Sequence, residues 1–259
     1  MTQIIIHPGF HKTGTSTLQT SLRVNRDTLA PDIRIFLDQD ILGLSGAAKG
    51  YSASRSDLDL GLVLYEAALF AEQISPELKI IILSSESLCG HIPGRNGVQD
   101  YSAAPDLLTA IGTAFSQTCP DTKLTYLFST RNAESWLESC YAQHLRASRM
   151  TLTQQDYLTR FKPSANLTQV IADCRTALPL ADINSARLED FPKTRLGMLD
   201  SLLDLADYPE VKRTNLSPVA VANKAPSPAQ LSALLEINRS DLSDQDARAA
   251  RMKLNMEIA

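Results

Sequence analysis

The sequence predicts an α/β protein with a central parallel β-sheet flanked by helices. Three observations carry that prediction. Aliphatic and aromatic runs stand at 3–7, 79–84 and 123–129. They are apolar at successive positions instead of alternating, which is the pattern of a strand buried on both faces. Between them lie stretches of ten or more residues with helical apolar spacing, and parallel neighbours require a crossover of that kind.

Taken in order, Gln3, Ile4, Ile5, Ile6 and His7 form a β-branched run ended by Pro8 and Gly9. The spacing of Leu18, Leu22 and Leu29 then predicts a helix over 15–29. The stretch 30–57, with Gly43, Gly46, Gly50 and several serines, reads as an irregular insertion or mobile loop. A helix over 58–73, carrying Leu58, Leu62, Tyr65, Ala68 and Leu69, leads into the second strand at 79–84. The third strand, 123–129, precedes a helix over 134–149, and a helix over 167–178 precedes a fourth strand at 181–187. Beyond Pro209 the chain turns polar and proline-rich through Pro226 and Pro228, with helices expected from near Ser227 and over 241–254. These elements make one domain of residues 1–259: a core over 1–217 and a C-terminal helical subregion, 218–259, packed on it. No internal repeat is present.

With 259 residues, 44% hydrophobic and 21% charged, the chain can bury a large core and is neither fibrous nor disordered. A net charge of −4 argues against general binding of polyanions, so no nucleic-acid partner is expected and any anion site must be local. The N-terminus lacks a basic region before its short apolar run, and no stretch of about 18 apolar residues occurs, so neither a secretory signal nor a membrane span is expected. Cys89, Cys119, Cys140 and Cys174 stand 30, 21 and 34 positions apart, which fits no zinc spacing. They read as reduced thiols of a soluble, cytoplasmic protein with no metal site.

In parallel sheets ligands bind beyond the carboxyl ends of the strands, which directs attention to the segments after Ile6, Leu83 and Phe128. The first runs His7, Pro8, Gly9, Phe10, His11, Lys12, Thr13, Gly14, Thr15, Ser16, Thr17. It nearly fits the phosphate-loop pattern G-x-x-x-x-G-K-[ST], but Thr15 stands where that pattern has lysine, and the lysine is at Lys12. A strand–loop–helix turn still offers backbone N–H groups and the positive end of a helix dipole to an anion. A lysine so displaced does not reach the β/γ bridge of a nucleoside triphosphate, which makes a kinase or nucleotide hydrolase less attractive.

Lys12-Thr13-Gly14-Thr15-Ser16 resembles the 5′-phosphosulfate loop, K-[ST]-G-T-[ST], of the sulfotransferases that use 3′-phosphoadenosine 5′-phosphosulfate. The resemblance implies a phosphate-loop-like sulfotransferase fold, with Lys12, Thr13, Gly14, Thr15, Ser16 and Thr17 binding that co-substrate and Lys12 neutralising charge at the bridging oxygen. Thr17 stands where the cytosolic small-molecule branch has an adenine-stacking aromatic, so the chain looks closer to the bacterial and Golgi-type branches.

The third strand ends at Arg131, and Ser139 follows eight residues later, inside the expected helix. By itself Arg131 reads as an ordinary strand-end partner for a carboxylate. Beside the loop, the pair resembles the family's 3′-phosphate motif, which assigns Arg131 and Ser139 to that phosphate. Similarity extends through 140–146, 187–191 and 199–209. The family's basic-glycine loop is missing; Lys212, Arg213 and Lys224 have the chemistry to replace it, or are surface charges.

Sulfuryl transfer to a hydroxyl or amine needs a group to take the acceptor's proton. Glu86, just beyond the second strand, is the first candidate; the alternatives for it are to cap a helix beginning at Ser87 or to pair with Arg95. His11, inside the loop, and His91, in a Gly-Pro loop, are rivals, whereas His7 reads as a core residue and His144 as part of a helix face. The resemblance thus implies metal-free transfer from 3′-phosphoadenosine 5′-phosphosulfate to a small-molecule or glycan acceptor, with the irregular 30–57 and 90–104 stretches lining the acceptor pocket. A non-catalytic nucleotide-binding module and a small-molecule kinase are the alternatives.

Overall fold

The computed structural model describes residues 2–75, 77–220 and 225–258. In chain order the elements are β1 (Thr2–His7), α1 (Thr15–Val24), α2 (Arg26–Leu29), β2 (Ile33–Leu37), α3 (Leu42–Ser54), α4 (Asp57–Ala71), β3 (Ile80–Ser84), α5 (Ala104–Thr118), β4 (Thr122–Thr130), α6 (Ala133–Ala147), α7 (Gln154–Phe161), α8 (Leu167–Ala177), β5 (Asp182–Arg187), α9 (Met198–Leu205), α10 (Glu210–Arg213), α11 (Pro228–Arg239) and α12 (Asp244–Ile258). They form two compact units: 1–131 with 167–220, and 132–166 with 221–259. The C-terminal helices therefore share their unit with 132–166, a segment that the sequence reading leaves in the core.

In the first unit five parallel strands lie in the order β2-β3-β1-β4-β5. β1 is central, with Ile4 opposite both Ile81 and Leu124, and Ile6 opposite both Leu83 and Tyr126. The successive isoleucines are required because both faces are covered. Ile5, Ile82 and Leu127 pack with Leu18 and Leu22 of α1 and with Leu199, Leu202 and Leu203 of α9. On the opposite face Phe36 meets Phe70 of α4 edge-on at 5.0 Å, Phe70 meets Phe115 of α5 at 6.0 Å, and the Tyr126 hydroxyl donates to the Leu108 carbonyl.

Two expectations need correction. The stretch 30–57 is not irregular: it holds an edge strand, β2, and the helix α3. β2 escapes notice because it is short and Arg34 points outward between Ile33 and Ile35, while glycines and serines disguise α3. Its small residues serve close packing, since a Cβ at Gly90 would stand 2.3 Å from that of Ser52. The helix expected over 15–29 breaks at Asn25, whose amide donates to the Ser21 and Ser217 carbonyls and whose carbonyl oxygen accepts from the Ser217 N–H.

The second unit is helical. Tyr157 packs against Tyr141, His144 and Phe161 at ring separations of 4.7–5.7 Å. Arg149 donates to the carbonyls of Asn238, Ser240 and Leu242, and Asn238 donates to the Leu145 carbonyl, which ties α11 to α6. Among the described residues no helix is long and apolar enough to cross a membrane.

Candidate functional site

The loop between β1 and α1 turns through three left-handed residues: Gly9 at φ 52°, Lys12 at φ 67° and Gly14 at φ 97°. For Lys12 that conformation costs about 1–3 kcal/mol, strain of a kind concentrated at ligand-binding turns. A Cβ on Gly14 would lie 2.9 Å from Leu188 Cδ1, so the loop is pressed against the segment after β5. Gly14 also occupies the N-cap of α1; no side chain caps this helix end and its first turn carries no acid. Open N–H groups and an uncompensated dipole make it a place for an anion.

A buried chain of hydrogen bonds holds the loop from beneath. His7, fully buried at the end of β1, places Nδ1 2.9 Å from the Ser84 hydroxyl and Nε2 3.2 Å from the Ser129 hydroxyl. Ser129 in turn lies 2.5 Å from Thr13 Oγ1, and Thr13 donates to the Phe10 carbonyl at 2.6 Å. Because the single Thr13 proton goes to Phe10, Ser129 donates to Thr13 and accepts from Nε2–H, which leaves Nδ1 to accept from Ser84. His7 is thus neutral, and burial drives its pKa down to about 3. Ends of β1, β3 and β4 are fastened in this way to the turn that carries Lys12.

Arg131 donates through Nη1 to the Lys12 carbonyl at 3.3 Å, bringing two of the residues singled out from sequence together at the loop. Thr15 is buried and donates to the Phe10 carbonyl at 3.3 Å, while Ser16 is exposed and Thr17 half-buried. Ser139, half-buried, sits on α6 in the second unit.

Glu86 follows β3 in a 3₁₀ turn capped by the Ser85 hydroxyl, so capping is not its role. Gln19 on α1 donates to its Oε2 at 3.0 Å, and Arg95 forms no ion pair with it. Burial raises the Glu86 pKa and the nearby Asp38 charge adds to the rise, while Gln19 and Lys12 oppose it. Asp38 itself accepts from the hydroxyls of Ser45, at 2.8 Å, and Ser85. His11 is held by Tyr101, whose hydroxyl meets both its N–H and its Nδ1, at 3.1 and 3.0 Å. Burial, then the charges of His91, Arg95, Lys12 and Lys49, lower its pKa to about 3. Gln19, Tyr101 and Ser129 were not singled out in the sequence, having no motif to mark them.

Lys212 and Arg213 are engaged elsewhere. Lys212 pairs with Asp32 at 2.6 Å, and Arg213, buried, pairs with Asp204 at 2.5 Å. Lys224 lies outside the described residues. Among the described residues no three His, Cys, Asp or Glu side chains gather closely enough to hold a metal ion. A cleft of about 560 Å³ lies at the opposite, amino edge of the sheet, beside Thr122, Lys123 and Asp182, away from this loop.

A crystal structure of a sulfotransferase from Alicyclobacillus acidocaldarius superimposes with a TM-score of 0.50, covering 96% of this chain and 99% of that one. The fold is that of a sulfotransferase. At 17% identity the likeness is one of architecture, the parallel sheet and flanking helices of a phosphate-loop-like α/β protein. No protein-family model matches the chain, and no curated protein matches it. On a sulfotransferase fold the loop carrying Lys12 occupies the carboxyl end of the central strand, where such sheets bind ligands.

Proposed function

We propose that this protein is a sulfotransferase of the bacterial and Golgi-type kind. It moves the sulfuryl group of 3′-phosphoadenosine 5′-phosphosulfate to a hydroxyl or amine of a small-molecule or glycan acceptor, without a metal. One observation carries the reading: on a sulfotransferase fold, Lys12 stands in a strained left-handed turn at the uncapped start of α1 with Arg131 bound to its carbonyl.

In the transfer, the acceptor oxygen or nitrogen bonds to sulfur as the bond between sulfur and the bridging phosphate oxygen breaks. The acceptor's proton passes to a base, and adenosine 3′,5′-bisphosphate leaves with the bridging oxygen. Thr13, Gly14, Thr15, Ser16 and Thr17 hold the 5′-phosphosulfate at the helix N-terminus, and Lys12 offsets the charge that grows on the leaving oxygen. Arg131 binds the 3′-phosphate, the role that the family resemblance assigns to it and to Ser139. Glu86 takes the proton: its raised pKa brings a carboxylate nearer to working pH, and the Gln19 amide orients it. His11, with its pKa near 3, is a neutral donor to the sulfuryl oxygens. The four free cysteines suit a cytoplasmic, reducing setting.

Titrating adenosine 3′,5′-bisphosphate and ATP, each with and without Mg²⁺, tests the proposal. Tight bisphosphate binding indifferent to Mg²⁺ is expected; preference for Mg·ATP would overturn it in favour of a kinase or a nucleotide-binding module.

A further inference from the structure

Beside Lys12 the first unit gathers more nitrogen bases than the donor requires. Lys49 on α3, His91 and Arg95 in the loop after β3, and His11 are all half-buried. The backbone brings them together. The His91 N–H donates to Ser52 Oγ at 3.0 Å, and the Ser52 hydroxyl donates to the Lys49 carbonyl at 2.8 Å, so Lys49 lies one helical turn from the point where the loop meets α3. Arg95 is fixed in a compact turn, its N–H bonded to the Ile92 carbonyl and its own carbonyl to the Val98 N–H. Asn96 faces His91 Nε2 at 2.9 Å, and Tyr101 at the far end of the same segment fastens it to His11. The charges of Lys49 and Arg95 act on both His11 and His91, in keeping with the hydrogen bonds that join these segments.

The charged members of the group are Lys49 and Arg95; burial and their charges lower the pKa of His11 and His91. Among the described residues neither Lys49 nor Arg95 has a carboxylate within 4.0 Å, Asp38 is engaged by two serine hydroxyls and Glu86 by Gln19. In a chain with a net charge of −4, Lys49 and Arg95, half-buried and without a paired acid, leave charged hydrogen-bond donors for an anion. Under the proposed reading Lys12 is given to the donor, and Lys49 acts on Asp38, the acid whose charge acts on Glu86.

We propose that Lys49 and Arg95, with His91 beside them, form a subsite for an anionic group carried by the acceptor, so that the preferred acceptor is a hydroxyl or amine compound bearing a carboxylate, sulfate or phosphate. This rests on the sulfotransferase reading above and adds the acceptor's charge to it.

The test uses the full chain with adenosine 3′,5′-bisphosphate present and measures binding of 4-hydroxybenzoate and 4-hydroxybenzamide, a pair alike in shape and different by one charge. The acid should bind at least tenfold more tightly, and the Lys49→Gln/Arg95→Gln double variant should reduce that preference to within twofold while keeping its bisphosphate affinity, which also reports that it is folded. Equal or undetectable binding of the pair, or a preference that survives the double substitution, would overturn the subsite. Failure of the bisphosphate to bind would instead overturn the donor assignment, and the same pair titrated against the bisphosphate-free protein would still decide the subsite.

Discussion

His7 Nε2 lies 3.2 Å from the Ser129 hydroxyl, which bonds onward to Thr13, so a buried imidazole at the end of the central strand supports the turn that carries Lys12. The support is built for neutral His7, because a second ring proton would reverse the bond to Ser84 and place an unpaired charge in a fully buried site. With its pKa lowered by burial from 6.5 to about 3, the folded state binds fewer protons than the unfolded chain throughout that window. Stability is therefore complete above about pH 6.5 and falls as the pH drops toward 3, by about 2 kcal/mol between pH 7 and pH 5 from this group. Urea unfolding at the two pH values should show a loss smaller by about 2 kcal/mol in His7→Gln than in the parent protein, the remainder including His11, whose pKa is also lowered to about 3; an identical pH slope in both would remove His7 as its source.

The sheet was legible where burial is two-sided. Ile4-Ile5-Ile6 and Ile80-Ile81-Ile82-Leu83 cannot be anything but covered strands, whereas Ile33, Ile35 and Leu37 alternate with exposed or half-buried neighbours as an edge strand and sink into the glycine-rich stretch that follows. Site residues divide in the same way. Lys12, Thr13 and Gly14 are neighbours in sequence and announce a loop. Gln19 and Glu86 stand 67 positions apart, His11 and Tyr101 90, Thr13 and Ser129 116, and only the parallel crossovers bring them to one sheet edge.

Gly14 is tied to its position by conformation as well as by space. At φ 97° an alanine is strained, and its Cβ would meet Leu188 at 2.9 Å and Phe191 at 3.4 Å; Gly97, at φ 81°, has no atom within 4 Å of such a Cβ. Gly97→Ala should cost about 1–2 kcal/mol from backbone strain alone. Gly14→Ala should cost more, and should weaken adenosine 3′,5′-bisphosphate binding, which Gly97→Ala should leave within twofold. Thermal denaturation together with calorimetric titration checks both halves; equal destabilisation would show that the Leu188 contact yields freely.

Arg131 meets the donor loop through the Lys12 carbonyl, and under the proposed reading its guanidinium serves the 3′-phosphate. Arg131→Ala should weaken bisphosphate binding on the order of 1.5–3 kcal/mol, the worth of a charged hydrogen bond. Adenosine 5′-phosphosulfate, which lacks the 3′-phosphate, should lose much less. A variant that loses both ligands equally would mean that Arg131 acts only as a strut for the loop. Lys12→Ala, by contrast, should abolish transfer while leaving measurable bisphosphate binding.

The Gln19–Glu86 hydrogen bond gives the base assignment a distinctive signature. Burial and Asp38 raise the Glu86 pKa, and a base must be deprotonated to act, so transfer should rise with pH through that elevated pKa and form the acid limb of the rate profile. Gln19 opposes the rise by donating to the carboxylate. Gln19→Leu removes the donor and should move the acid limb to higher pH, with turnover restored as the pH is raised. Glu86→Gln should lower kcat by about 100-fold or more, within the range for loss of a positioned general base, while bisphosphate affinity changes little. The two variants together exclude a purely structural role, since loss of packing would depress activity at every pH in both. An acid limb that stays in place in Gln19→Leu, or full turnover in Glu86→Gln, would transfer the proton to His91, whose pKa burial and the Arg95 and Lys49 charges lower.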